Sequence, residues 1–350
     1  MTGFAGGYQP YYPPPQYCAP PPLKPGIIPL RPLNLSDIFN GAFAYIRANP
    51  KTTLGLTTIV VLLSQLASLL LQVGPLAAAG ALEPVSDDAT YAELDAELGG
   101  LIGSLVGSLA GAAATWISSI LLSGLLTVIV GRAIFGAGIS AGEAWRRLRP
   151  RLLALLGVTA LETLGAVLLL AAVGTVIAVV AIALNGWVAF FVGVPLVLAA
   201  LVALAFVFTK LSFAPTLVVL ERLPVIAAIE RSFALVRNDF WRIFGIRLLA
   251  MLVAGVIAGA VSVPFSLGGQ ILMIAAGSAA ATVGGLVLVT VGAAIGQILT
   301  APFTAGVVVL QYTDRRIRAE AFDLVLQTGA GHAPAGPQDS TDHLWLTRRP

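Results

Sequence analysis

The sequence predicts an all-α, polytopic membrane helix bundle with six transmembrane helices, and three observations carry that prediction. Hydrophobic residues make up 57% of the 350 residues, charged ones only 11%, and the mean hydropathy is +0.91, whereas a soluble domain carries about 25% charged residues. Six apolar runs reach or exceed the ~20 residues that cross ~30 Å of hydrocarbon. All 20 Lys and Arg residues fall in the N-terminal part, in alternate connections and after the last run, the distribution that retention of bases on the inner side produces.

Residues 1–26, rich in Pro, Tyr and Gly, bury too little apolar surface to offset backbone ordering. They are expected to form a disordered cytoplasmic tail, a tether that would alternatively offer polyproline helix to a protein partner. A basic n-region and an apolar h-region of a signal peptide are both missing, so insertion is expected to be directed by an internal span. Asn34 or Ser36 caps a short helix through Ala48, with Phe39, Phe43 and Ile46 as an apolar stripe suited to a membrane surface.

The predicted spans are 52–73, 101–131, 152–184, 187–209, 244–263 and 283–309, with a tight turn at "NGW" (Asn185, Gly186, Trp187) between the third and fourth. Residues 266–282 are uncharged and broken by glycine, and are expected to form a partly embedded connection. The whole six-span domain covers 27–326, and 327–350 is expected to be a disordered C-terminal tail.

The stretch "ALEPVSDDATYAELDAELGG" holds Glu83, Asp87, Asp88, Glu93, Asp95 and Glu97 without one base. With the bases retained inside, this loop lies outside and both termini lie in the cytoplasm, which places the chain in the cytoplasmic (plasma) membrane. A net charge of +3 with a pI near 9.2 is too thinly spread for nucleic acid, and it suits anionic lipid head groups. Candidate head-group contacts are Arg47, Arg147, Arg149, Arg237, Arg315 and Arg316.

Three basic segments align without gaps: "AYIRANPKTTLG", "AWRRLRPRLLAL" and "ALVRNDFWRIFG" superpose Arg47, Arg147 and Arg237. Ser140 and Glu143 form a capping box before the second, and Ile226, Ile229, Phe233 and Val236 share one face before the third. The expectation is three repeated units, each a cytoplasmic amphipathic helix followed by a transmembrane hairpin. In "YTDRRIRAEAFDLVL", Ile317, Ala321 and Leu324 oppose Arg315, Arg316 and Arg318, the pattern of an interfacial helix.

Glu162 lies about ten residues into the third span, or ~15 Å from its inner end. An ionisable group near the midplane marks a candidate functional site, which Gln65 or Gln297 would complete. A polar cavity around Glu162 favours transport, and a sealed apolar interior favours a scaffold. Gly103, Gly107 and Gly111 line one helix face with Gly99, allowing close backbone approach, either inside one chain, the favoured reading, or in an oligomer. The same choice holds for Gly255 with Gly259 and for Gly292 with Gly296. His332 and His343 lack companions at metal-ligand spacing, Cys18 stands alone, and no GxSxG, HExxH or P-loop pattern occurs. Neither a cofactor nor a metal is expected.

The runs "KPGIIPLRPLNLSDIFNGAFAYIRANPK", "LSFAPTLVVLERLPVIAAIERSFALVRNDFWRIFGI" and "YTDRRIRAEAFDL" resemble a family of uncharacterised actinobacterial integral membrane proteins labelled as having a glycerophosphoryl diester phosphodiesterase membrane domain. The resemblance implies a multi-span membrane domain of the kind fused elsewhere to a metal-dependent catalytic barrel. The barrel with its His and acidic ligands is absent here, so phosphodiesterase activity is not implied. The leading expectation is a non-enzymatic membrane scaffold or accessory protein that touches head groups and partner proteins on the cytoplasmic side. The alternatives are a small-molecule or lipid transporter using Glu162 and, more distantly, a membrane-embedded lipid enzyme. A topology test follows: with Cys18 replaced by Ala, a cysteine at Asp88 is labelled in intact cells by a membrane-impermeant thiol reagent. Labelling only after permeabilisation would invert the orientation.

Overall fold

A computed structural model describes residues 26–29, 31–78, 92–276, 278–324 and 344–346. Cys18, the Pro-rich tail, most of the acidic stretch, His332 and His343 lie outside the described residues. Ten α-helices form this part: α1 (Leu35–Ala48), α2 (Pro50–Ala78), α3 (Ala92–Ile134), α4 (Ala141–Leu148), α5 (Leu152–Ala183), α6 (Gly186–Leu211), α7 (Ala214–Leu220), α8 (Val225–Val236), α9 (Phe240–Ala276) and α10 (Ala279–Glu320). Six helical stretches among the described residues are long and apolar enough to cross a membrane, and the chain is a multi-pass helical membrane protein. A short helix precedes a pair of long ones three times, with α7 inserted before the third, although the three pairs are not packed alike.

Local chemistry sets several boundaries. Asn34 Oδ1 accepts from the Asp37 backbone N–H (2.7 Å) while Asp37 Oδ2 accepts from the Asn34 N–H (3.1 Å), a capping box that starts α1. Ser140 accepts from the Glu143 N–H (3.3 Å). The Glu143 carboxylate instead turns to Arg147 (2.8 Å) and Arg132 (3.5 Å), so only half of the expected box forms. Asn185 Oδ1 accepts from the Val188 N–H (2.9 Å) and starts α6 immediately after the turn.

Two hairpins, α2–α3 and α9–α10, are each closed by small residues, and they pack side by side with α10 on α2 and α3. A Cβ at Gly107 would sit 3.0 Å from the Leu71 carbonyl oxygen, and one at Gly111 would sit 2.8 Å from Ser68 Oγ. The glycine face of α3 therefore packs inside one chain, with Gly103 buried beside it. Gly292 packs on Phe265 and Gly296 on Ala258, whereas Gly255 and Gly259 face open space. A Cβ at Gly269 would come within 2.6 Å of the Gly285 carbonyl oxygen. Close contact of this kind lets α9 run on as helix to Ala276, so the connection expected over 266–282 is mostly helix, with α10 starting at Ala279 behind the Ser278 cap.

The α5–α6 hairpin is different. Only Leu155, Val158 and Val173 of α5 are buried, and α5 reaches α3, α7 and α8 while α6 reaches α8 and α9. Apolar side chains facing lipid need no protein core, so the fully buried residues concentrate at the basic end of the bundle. There Ile28, Leu33, Tyr45, Leu148, Phe213 and Val236 meet. The apolar stripes also turn differently from the expectation: Ala42 and Tyr45 of α1 are buried against α10, where Tyr45 Oη donates to the Pro302 carbonyl, and Phe43 is exposed. On α8, Ser232 and Val236 are buried while Ile226 and Phe233 are exposed.

Charges at the basic end are paired inward. Asp314 accepts from the Leu33 N–H (2.8 Å) and meets Arg242 (3.2 Å) and Arg318 (2.9 Å), while both arginines donate to the Leu33 carbonyl. Glu221 accepts from Tyr312 Oη (2.5 Å) and lies 2.6 Å from Arg231, which also meets Glu320 at 2.7 Å. Burial works against the charge on Arg231. The adjoining Glu221 carboxylate, supported by Glu320, outweighs it and raises the guanidinium above its ordinary value.

The expected interfacial helix over 312–326 is replaced by the continuous end of α10. Because Arg315 pairs with Asp239 and Arg316 with Glu320 (3.0 Å), both guanidiniums point into protein. Part of the C-terminal tail is ordered as well: Trp345 is buried against Tyr312, Phe322 and Phe135, and its carbonyl accepts from Arg316 (3.0 Å). Removing a fully buried, paired carboxylate leaves its cations uncompensated at a cost of about 3–5 kcal/mol. Glu221→Ala should therefore lower the unfolding temperature in mild detergent by many degrees, while exposed Glu230→Ala leaves it unchanged. Equal stability of the two variants would refute the clamp.

Candidate functional site

The sequence places Glu162 at mid-membrane depth, and the structure sets it on a cavity of about 310 Å³ between α3 and α5, to whose lining α6 and α7 add Phe208 and Pro215. Glu162 Oε1 is buried and has no hydrogen-bond partner. Arg247 is the charge within electrostatic reach, but its guanidinium donates to the Ser212 carbonyl (3.3 Å), and no ion pair joins it to Glu162 among the described residues. A carboxyl in this position either holds a proton or meets a cation.

The surrounding hydroxyls have largely spent their protons. Thr163 Oγ1 donates to the Thr159 carbonyl (2.8 Å), Thr159 Oγ1 to the Leu155 carbonyl (3.0 Å) and Ser119 Oγ to the Trp116 carbonyl (2.8 Å). Their lone pairs remain, and one on Thr163 accepts from Trp116 Nε1 (3.0 Å). The cavity thus presents acceptors, which suit an ammonium group, a hydroxyl-bearing group or a proton. Ser119, Ser123 and Thr163 are exposed at its edge, so it opens sideways and not through a sealed interior.

The other expected members lie elsewhere. Gln65 Nε2 donates to Gln297 Oε1 at 3.4 Å, which ties α2 to α10 rather than completing the Glu162 site. Arg47, Arg149 and Arg237 are exposed, and Arg47 borders a cavity of about 470 Å³ along α1 with Asp37 and Asn40. Arg147 is engaged by Glu143, and Arg315 and Arg316 are buried. Among the described residues, no group of three or more His, Cys, Asp or Glu could hold a metal ion. Sequence reasoning missed Trp116, Ser119, Thr159 and Thr163. Their signal is periodic, since Thr159, Glu162 and Thr163 share one face of α5 while Thr115, Ser119 and Ser123 share one face of α3.

Against known proteins, the family described as a domain of unknown function (DUF7847) matches residues 33–315. The chain belongs to that family. The match takes in nine of the ten helices in full or nearly so, together with most of α10, and so includes the Glu162 cavity and both hairpins of the tighter bundle. No curated protein and no solved structure matches the chain.

If the cavity is wet, a cysteine at Ser119 (with Cys18 replaced by Ala) should react with a small water-soluble methanethiosulfonate. The rate should exceed by at least about tenfold that of a cysteine at Leu161, an exposed apolar residue in the same turn of α5 as Glu162. Equal, slow reaction at both positions would mean that the cavity is closed to water.

Proposed function

We propose that the protein is a non-enzymatic membrane transporter whose Glu162 cavity takes the cationic or hydrogen-donating head of an amphiphile or small molecule from the side of the bilayer. The observation that carries this reading is the unpartnered, buried Glu162 oxygen in a cavity lined by spent hydroxyls. A buried acceptor left without a donor costs about 1–3 kcal/mol, and a ligand that supplies the donor recovers it. The basic end is cytoplasmic in this reading, with both termini inside and the chain in the plasma membrane, as the distribution of bases supports.

A second reading is the scaffold or accessory protein. It is supported by the exposed Arg47, Arg149 and Arg237, which suit anionic head groups, and by the Pro-rich tail as a site for a protein partner. Inward pairing of Arg315 and Arg316 removes two of the residues on which it was based. The test is purification from native membranes in mild detergent, with lipids, small molecules and proteins identified together. An amine- or hydroxyl-bearing ligand should accompany the wild type and be lost from Glu162→Gln at unchanged unfolding temperature. An identical set of ligands in both forms, with a stable protein partner retained, would favour the scaffold.

A further inference from the structure

We infer that the Glu162 cavity is one half of a groove along α3 through which amine-bearing phospholipid head groups pass between leaflets, while their acyl chains stay in the bilayer. This inference rests on the proposed binding at Glu162 and extends it to a lipid cargo and a path.

A second cavity, of about 510 Å³, lies between α2 and α3 and is bordered by Ser68, Gln72, Ser108 and Thr115. The two cavities share Trp116 and Ser119, so they adjoin on one side of α3. Ser108, Thr115, Ser119 and Ser123 fall on a single helix face. The first and last are 15 residues apart, about 22 Å at 1.5 Å per residue, against ~30 Å of hydrocarbon. The longest interval, between Ser108 and Thr115, is bridged from α2 by the Gln72 amide, which donates to Ser68 Oγ (2.9 Å).

The groove is open along its length. Ser108, Ser119 and Ser123 are exposed, and beyond the Trp116–Thr163 hydrogen bond α5 contributes one buried residue, Val173. A lipid lying with its head in this groove leaves its tails no obstacle, whereas an enclosed channel would exclude them. The acceptors along the path replace, about once per turn, the water that an ammonium-bearing head loses on leaving the interface. Glu162 supplies the countercharge near the midplane, where desolvation is greatest. The transfer is passive and equilibrates the leaflets.

The full chain is reconstituted into phosphatidylcholine vesicles containing a minor share of phosphatidylethanolamine, and the lipid amine exposed outside is titrated with impermeant trinitrobenzenesulfonate. Wild-type protein should make the inner pool react as well, while encapsulated dye is retained. Ser119→Phe, which fills the junction from an exposed position, and Glu162→Gln should each slow this at least tenfold at unchanged unfolding temperature, and Val167→Phe should not. Dye leakage, or exchange by Ser119→Phe at the wild-type rate, would overturn the groove. If phosphatidylethanolamine copurifies in a Glu162-dependent way but its inner pool never reacts, the path is wrong and the binding site stands. If neither binding nor exchange depends on Glu162, both fail. Glu162-dependent uptake of radiolabelled ethanolamine into the vesicles, with an inner lipid pool that never reacts, would identify a water-soluble amine as the ligand and overturn the lipid assignment.

Discussion

Buried charge at the basic end of α10 is the constraint on which the rest of the structure depends. Carboxylates removed from water must be met by cations and donors or be neutralised, and here each one joins elements distant in sequence. Asp314 ties the segment before α1 to the start of α9 through Leu33 and Arg242. Glu221 ties the segment after α7 to α8 and α10 through Arg231 and Tyr312. Asp239 holds the start of α9 against Arg315. Apolar core residues and the docked Trp345 fill the spaces between these pairs. All of this lies where the short helices gather, so the molecule has a rigid base from which the long helices extend into lipid.

A bundle anchored at one end need not be closed along its length. Within the α2–α3 and α9–α10 hairpins, closure comes from glycines that bring backbones together, and α10 in turn packs on both α2 and α3, because dispersion and close approach are what remain to drive association in hydrocarbon. The α5–α6 hairpin has no comparable seam with the bundle. It is joined near the base and by the Trp116–Thr163 hydrogen bond, and otherwise presents apolar residues to lipid. A lateral groove results, and the side chains lining it are the ones a lipid-facing surface would otherwise avoid: serine, threonine, glutamine and Glu162.

Much of this was legible in the sequence because the bilayer imposes simple rules. Length and hydropathy mark the spans, and the "NGW" turn and the Asn34 cap act locally. Glu162 stood out as the one carboxylate deep in an apolar run. What could not be read depends on partners far along the chain. Arg315 and Arg316 look like head-group ligands until Asp239 and Glu320 are placed beside them. Likewise, Gly268 and Gly269 look like a helix break until Leu288 and Gly285 of α10 pack on them, and Trp345 sits in a polar tail with no local sign of its aromatic partners. The hydroxyl face of α3 was readable at helical spacing, but it runs beside the more conspicuous glycine face and acquires meaning only when α5 leaves it uncovered.

The central claim, that lipid head groups enter the membrane interior along α3, is tested most directly by photocrosslinking in vesicles. Phospholipids would carry a diazirine either on the head group or midway along an acyl chain, and the adducts would be mapped by mass spectrometry. The account predicts head-group adducts on Ser119, Ser123 and Glu162 at mid-membrane depth, and acyl-chain adducts on the outer face of α5. Head-group adducts confined to the two ends of the spans, with acyl-chain adducts at Ser119, would contradict it.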